Sequence, residues 1–198
     1  MIAIIDYGAG NLRSISRALE SHGADVKITS DRDEIVKADR VVLPGVGNAK
    51  AAMERLRREG IDETIHEAVN QGTPLFGVCL GMQLLFGDQE EGPTTGLELV
   101  PGTGKLLPVD HKIPHMGWNT VRFREGTPLE ELRELSCYFV HSYAVEPENT
   151  DDIAATTDYG VTFPSVVIHE NVWGTQFHPE KSGNAGLAIL KAWLDWNP

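Results

Sequence analysis

The sequence predicts an α/β domain built on an open, mostly parallel sheet, with helices on both faces and an antiparallel extension. Three observations predict it. Short apolar runs alternate with helix-period segments through the first eighty residues, and helices between strands supply the crossovers that parallel neighbours require. Between about Gly87 and Gly183 the texture changes to short strand-like pieces set among Gly and Pro, as hairpins are. A final amphipathic stretch closes the chain.

The elements follow in order. "IAIID" is a buried-strand run, and Leu12, Ile15 and Leu19 then recur at helical spacing across residues 11 to 22, closed by Gly23 as a C-cap. "DVKIT" and "RVVLP" repeat the strand pattern. Ile61, Ile65, Ala68 and Val69 share a helix face that ends at Gly72, and "PLFGV" supplies another strand. In the second half "GKLLP", "NTVRF", "CYFVHSYAV", "IAATT", "SVVIH" and "VWGTQF" read as strands. Ala185, Ala188, Ile189, Ala192, Trp193 and Trp196 follow the spacing of one buried helix stripe. No repeat, linker or low-complexity tract divides the 198 residues, so a single domain over 1–198 is expected.

Composition excludes several classes of function. A formal net charge of −12 opposes phosphate backbones and anionic lipid, whose binding depends on clustered Lys and Arg. The one basic cluster, "RLRRE" at 55 to 59, reads as the solvated face of a helix. No apolar run approaches the roughly 18 residues of a membrane helix, and "MIAIIDYGAG" lacks the basic start of a secretory signal. A cytoplasmic protein is expected, with no nucleic-acid or membrane partner. Cys79 and Cys137 are expected as free thiols, because they lack metal-ligand spacing and a reducing compartment keeps such cysteines reduced.

The chemistry concentrates in two motifs. "GVCLG" places Cys79 between Gly77 and Gly81 where a strand gives way to a helix. This is a nucleophile-elbow pattern, in which the tight turn strains the central residue and flanking glycines remove clashes. The dipole of the following helix is expected to favour thiolate over thiol. A lone cysteine is otherwise a small buried hydrophobe. "QFHPEKS" offers His178 after a strand and Glu180 two residues on, across the rigid Pro179. In extended backbone these two side chains point the same way, so the acid can orient the imidazole that serves the thiol. "LPGVGN" follows a third strand, and the N–H groups of Gly47 and Leu80 are candidates for an oxyanion hole. Gln83, one turn past Cys79, is either a substrate contact or plain polar surface.

Other signals fail. "GAGNLR" has Arg13 where a dinucleotide fingerprint needs its third glycine, and no phosphate-binding loop is present. His111 and His115 have the spacing of a helical metal pair, but Pro114 lies between them. His22 and His66 read as surface residues. No cofactor or metal is expected.

"GVCLGMQ" together with "QFHPEKS" resembles the class I (triad) glutamine amidotransferases, whose domains have a flavodoxin-like open sheet. Within that class "MIAIIDYGAGNL", "LPGVGNA", "HKIPHMGWN" and "YFVHSYAV" are similar to the glutaminase subunits of imidazole glycerol phosphate synthases, and the likeness runs from Met1 to about Ser182. The resemblance implies one glutamine amidotransferase type 1 domain in which Cys79 attacks the carboxamide of L-glutamine, His178 moves the proton and Glu180 orients His178. It implies that Gln83, Glu91 and the backbone of Ser142 and Tyr143 hold the amino-acid end, with Glu90 as the rival of Glu91. It further implies a heterodimer with a (β/α)8-barrel cyclase subunit that takes the ammonia in histidine biosynthesis. Trp118, Tyr138 and Lys181 are then candidates for the partner contact, and the peptide plane near Val46 and Gly47 for an activity switch. The rival readings are an amidotransferase subunit serving aminobenzoate or guanylate synthesis, an α/β-hydrolase with a cysteine nucleophile, and a flavodoxin-like binding module with an inert cysteine.

Overall fold

A computed structural model describes all residues 1–198. The first part runs β1 (Ile2–Ile5), α1 (Leu12–Glu20), β2 (Val26–Thr29), α2 (Arg32–Val36), β3 (Arg40–Gly45), α3 (Ala49–Arg58), α4 (Ile61–Asn70), β4 (Leu75–Cys79) and α5 (Leu80–Gln83). The second runs β5 (Asp88–Gln89), β6 (Thr94–Thr95), β7 (Gly102–Leu106), β8 (His115–Phe123), β9 (Glu134–His141), β10 (Tyr143–Pro147), β11 (Ile153–Tyr159), β12 (Val161–His169), β13 (Val172–Thr175) and α6 (Gly183–Asp195).

Nine strands form the main sheet in the order β2-β1-β3-β4-β13-β12-β11-β8-β9. From β2 to β13 the neighbours are parallel, and from β13 to β9 they are antiparallel. The expected architecture is therefore present, with the antiparallel extension continuing the parallel sheet. β10, β7, β5 and β6 make a separate four-stranded sheet.

Side-chain alternation along β1 explains the two apolar layers. Ala3 and Ile5 join Met53, Leu56, Ile61 and Ile65 of α3 and α4 on one face, whereas Ile2 and Ile4 join Ile15, Leu19, Ile189, Leu190 and Trp193 of α1 and α6 on the other. The Asn48 side chain caps α3 by accepting from Ala51 N at 3.1 Å, and Asp31 caps α2 by accepting from Glu34 N at 3.1 Å.

Four expectations need correction. "CYFVHSYAV" is not one strand: it breaks at Ser142 into β9 of the main sheet and β10 of the small one. The buried stripe of α6 is Gly186, Ile189, Leu190 and Trp193. Trp196 has already left the helix and packs its ring on Trp173 at 5.1 Å. His22 is half-buried rather than free surface, with Nε2 3.0 Å from the Leu187 carbonyl. α2 went unread because its five residues "RDEIV" are too short to show periodicity.

Candidate functional site

Three adjacent central strands deliver the site. β3, β4 and β13 are parallel neighbours in matched register, pairing Gly45 with Cys79 and Thr175 with Val78. Their C-terminal ends therefore meet, and the loops leaving them lie side by side although they are remote in sequence.

Cys79 has φ 55° and ψ −111°, the strained conformation that the elbow pattern predicts. The flanking glycines are required by contact as much as by dihedral freedom. A Cβ on Gly81 would sit 1.9 Å from the Leu43 carbonyl oxygen, and one on Gly77 would sit 2.8 Å from the backbone of Gly81. α5 is pressed onto β3 and β4 at a distance no side chain permits. It has only four residues, so the expected aid from a helix dipole reduces to the free N–H groups of one turn. Leu80 is the first residue of that turn.

The Cys79 thiol is nearly buried, with Sγ 3.8 Å from the Val140 carbonyl oxygen and 3.9 Å from Gln176 Nε2. His178 and Glu180 side chains are each 2% exposed, and Nδ1 of His178 lies 2.9 Å from Glu180 Oε1. That contact arises differently from the expectation. His178 is extended, but Pro179–Lys181 forms a short 3-10 turn that folds the carboxylate back onto the ring. Nε2 of His178 has no hydrogen-bond partner, so no bond to the thiol is closed in this geometry. The two groups nevertheless act on each other. Burial alone pushes the His178 pKa down, yet interactions with Cys79 and Glu180 outweigh it and raise the pKa to about 9.

A cleft of about 240 Å³ opens over the thiol, lined among others by Gly47, Cys79, Leu80, Gln83, Glu91 and His178. Val46, Pro114, Val140, His141, Ser142 and Tyr143 complete the wall. The expected substrate contacts are thus gathered in one place. Of the two glutamates, Glu91 lines the cleft and accepts from Ala49 N at 3.0 Å, whereas Glu90 accepts from Leu106 N at 2.8 Å. Partial burial raises the Glu91 pKa. Gln83 is neither surface nor free: it is 4% exposed, and its Nε2 donates to the Tyr143 carbonyl at 2.9 Å and to Gln176 Oε1 at 3.2 Å. Gly47 has φ 97°, and neither Val46 nor Gly47 donates its N–H to a backbone acceptor.

Sequence reasoning missed several supports. Tyr7 is buried and donates its hydroxyl to the Pro44 carbonyl at 2.9 Å, bracing the loop after β3; burial pushes its pKa well up. His115 and His141 form a buried pair at 3.0 Å, and His141 Nδ1 lies 2.8 Å from the Tyr143 carbonyl. Burial lowers the pKa of His115 to about 4 and of His141 to about 3. Both rings are therefore neutral near pH 7. His141 Nδ1–H donates to Tyr143 and His115 Nδ1–H donates to His141 Nε2. No sequence spacing marks this pair, because it forms across β8 and β9.

The residues expected at a partner surface also cluster. Trp118 is 60% exposed, its ring 6.2 Å from that of Tyr138, and Lys181 Nζ lies 5.9 Å above the Tyr138 ring. Met116, 62% exposed, extends the apolar patch along β8. No helix is long and apolar enough to cross a membrane.

Comparison with known proteins agrees with the geometry. The model of the family described as glutamine amidotransferase class-I matches residues 3–195. A protein of Geobacillus thermodenitrificans, "Imidazole glycerol phosphate synthase subunit HisH", is 46% identical over 98% of this chain and 95% of its own. The protein of the same name from Salinibacter ruber is 48% identical over 96% and 92%. A solved structure described as a glutamine amidotransferase superposes with a TM-score of 0.78 at 19% identity, covering 98% of this chain and 99% of that one, which bears on the fold alone.

Proposed function

The chain belongs to the class-I glutamine amidotransferase family, and from that premise we propose that it is the glutaminase subunit of an imidazole glycerol phosphate synthase working through Cys79, His178 and Glu180. The observation that carries the triad is the strained Cys79 at the end of β4 beside a buried imidazole fixed by Glu180 at 2.9 Å.

The Cys79 proton passes to His178 Nε2, and the sulfur attacks the side-chain carbonyl carbon of glutamine. Charge that develops on the carbonyl oxygen is met by the N–H groups of Leu80 and Gly47, once the Val46 to Gly47 peptide faces the cleft. Imidazolium then protonates the departing nitrogen, ammonia leaves, and a water activated by His178 releases glutamate from the thioester. The Glu91 carboxylate lies where it can meet the substrate ammonium, and the Ser142 and Tyr143 backbone borders the same end. Gln83 contributes mainly by holding the Tyr143 carbonyl.

Ammonia in neutral water becomes ammonium, which has no lone pair to react with. A partner subunit seated on Trp118, Tyr138 and Lys181 would receive it directly. We assign that partner as the (β/α)8-barrel cyclase of histidine biosynthesis, working as a heterodimer in the cytoplasm. The test is glutamate release from glutamine by the purified chain, with and without the cyclase and its nucleotide ligand, beside Cys79→Ala. Release that requires the partner and disappears in Cys79→Ala is expected. Undiminished release by Cys79→Ala would remove the triad, and full release without the cyclase would remove the gating.

A further inference from the structure

We propose that the buried amides of Gln83 and Gln176 form a fixed hydrogen-bond relay that holds an N–H donor against the Cys79 sulfur, making Gln176 a catalytic residue that favours the thiolate. This deepens the reading of Cys79 as the nucleophile and rests on it.

The direction of the relay follows from its anchor. An amide side chain can present either end to a neighbour, but the Tyr143 carbonyl can only accept. Gln83 therefore turns its NH2 toward Tyr143, at 2.9 Å. The same NH2 lies 3.2 Å from the Gln176 side chain, which must answer with its oxygen, because two NH2 groups facing each other would repel. What remains is the NH2 of Gln176, and it lies 3.9 Å from Cys79 Sγ. Further bonds secure the anchor. His141 also donates to the Tyr143 carbonyl, at 2.8 Å, and Gln89 Nε2 donates to the backbone carbonyl of Gln83 at 2.9 Å.

Gln176 is 0% exposed. A fully buried amide is costly where an apolar side chain would serve, so its placement beside the sulfur asks for a role that packing does not supply. The chemistry is simple to balance. The thiol proton goes to His178 Nε2, Gln176 transfers nothing, and its N–H strengthens a hydrogen bond to sulfur as sulfur becomes anionic. When the sulfur electron pair forms the bond to carbon, the charge moves to the carbonyl oxygen and the Gln176 contact weakens. The relay thus raises the thiolate population before attack rather than stabilising the later oxyanion.

The titratable groups facing the sulfur are His178 and Tyr7, with Glu180 behind His178 and His141 and Glu91 across the cleft. None is changed by substitution at 176 or 83. The test is the rate of iodoacetamide alkylation of the Cys79 peptide against pH in the full chain, read by mass spectrometry. In Gln176→Met, of similar length and without the donor, the midpoint of the profile should rise by about one pH unit, roughly a tenfold loss of thiolate at a given pH. Gln176→Glu, which sets a carboxylate against the sulfur, should raise it further. Midpoints equal to the wild type in folded variants overturn the relay and leave Gln176 as packing. Should Gln176→Met not fold, Gln83→Met decides, because it frees Gln176 to turn its oxygen to the sulfur; an unmoved midpoint there also overturns the relay. Glutamine hydrolysis by the wild type, assayed with the cyclase and its nucleotide ligand, separates the two claims. Hydrolysis with unshifted midpoints in the variants sinks the relay alone, whereas shifted midpoints beside a wild type that hydrolyses no glutamine even with the cyclase sink the functional reading alone.

Discussion

Gly81→Ala is the sharpest perturbation of the elbow. The added methyl would lie 1.9 Å from the Leu43 oxygen and 2.9 Å from the Leu43 carbonyl carbon, where ordinary contact begins at 3.4 Å. Both elements meet through their backbones, α5 on one side and on the other a strand buried from Val41 to Gly45, so neither can turn aside as a flexible side chain would. Relief requires α5 to back away from β3 by about 1.5 Å, and overpacking of this kind costs about 1–3 kcal/mol or more. That movement carries the Leu80 N–H and the Cys79 sulfur with it. A displacement of ~1 Å at reacting groups costs roughly a hundredfold in rate, so glutamine turnover should fall at least that far. Gly23→Ala is the control. Unlike Gly81, which is helical, it has a positive φ, 78°, and its Cβ would meet nothing within 4 Å, so it carries only the left-handed backbone penalty of about 1–2 kcal/mol. Urea unfolding and steady-state glutaminase activity, measured on both variants, separate the effects. A Gly81→Ala chain that folds and turns over glutamine at the wild-type rate would show that the tight approach of α5 to β3 does not set the site.

Three further outcomes are expected. Glu180→Gln keeps an acceptor for His178 Nδ1 but removes the charge; losing a hydrogen bond to an ionised partner is worth about 1.5–3 kcal/mol, so kcat/KM should drop roughly ten- to hundredfold. NMR should show His178 titrating lower than about 9 in that variant, and lower again with Cys79→Ala, since both partners raise it against burial. His115 is held neutral by burial down to about pH 4, whereas an unfolded histidine takes up its proton near 6.5. The unfolded state binds more protons in that window. Chemical stability should therefore fall as pH drops from 6.5 toward 4, and His115→Phe should flatten the slope; equal slopes in both proteins would remove His115 from the account. Trp118→Ala should leave thermal stability unchanged, because the ring is 60% exposed, yet weaken cyclase binding by about 2 kcal/mol, as an aromatic anchor does. Calorimetric titration with the partner reads this directly, and unaltered affinity places the docking face elsewhere.

How much of this was legible depended on the range of the signal. Cys79 and its glycines were readable because an elbow must be encoded within five residues, and His178 and Glu180 because only Pro179 separates them. The crossovers of the first half were readable because each helix buries one stripe. The second half hid its topology in a single apolar run. "CYFVHSYAV" has a strand pattern throughout, and its break at Ser142 is decided by which sheet each half joins, a tertiary choice that local pattern does not record. Gln176 was invisible for a related reason. It sits between Thr175 and Phe177 at the end of a buried strand, with no spacing to mark it, and its meaning comes from Gln83, 93 positions away. Tyr7 likewise acts on Pro44, 37 positions distant.

The division at Ser142 bears on how a partner could reach the chemistry. β9 presents Tyr138 at the proposed docking face and, two to three residues on, Val140 and His141 at the cleft. At Tyr138 the backbone is bonded directly to the segment holding the base: its carbonyl accepts from His178 N at 3.0 Å, and its N–H donates to Ser182 Oγ at 3.0 Å, which in turn donates to the His178 carbonyl at 2.7 Å. Tyr138 and His178 are therefore parts of one hydrogen-bonded unit rather than neighbours linked by loose side chains. Across the thiol, the Val46 to Gly47 turn is exposed, has a Gly at φ 97° and lacks backbone acceptors for its N–H groups. The proposed base is clamped and the proposed oxyanion turn is not. A partner that regulates this site has little to gain by moving His178 and more by settling the peptide at Gly47, because that is where the resting geometry leaves a choice.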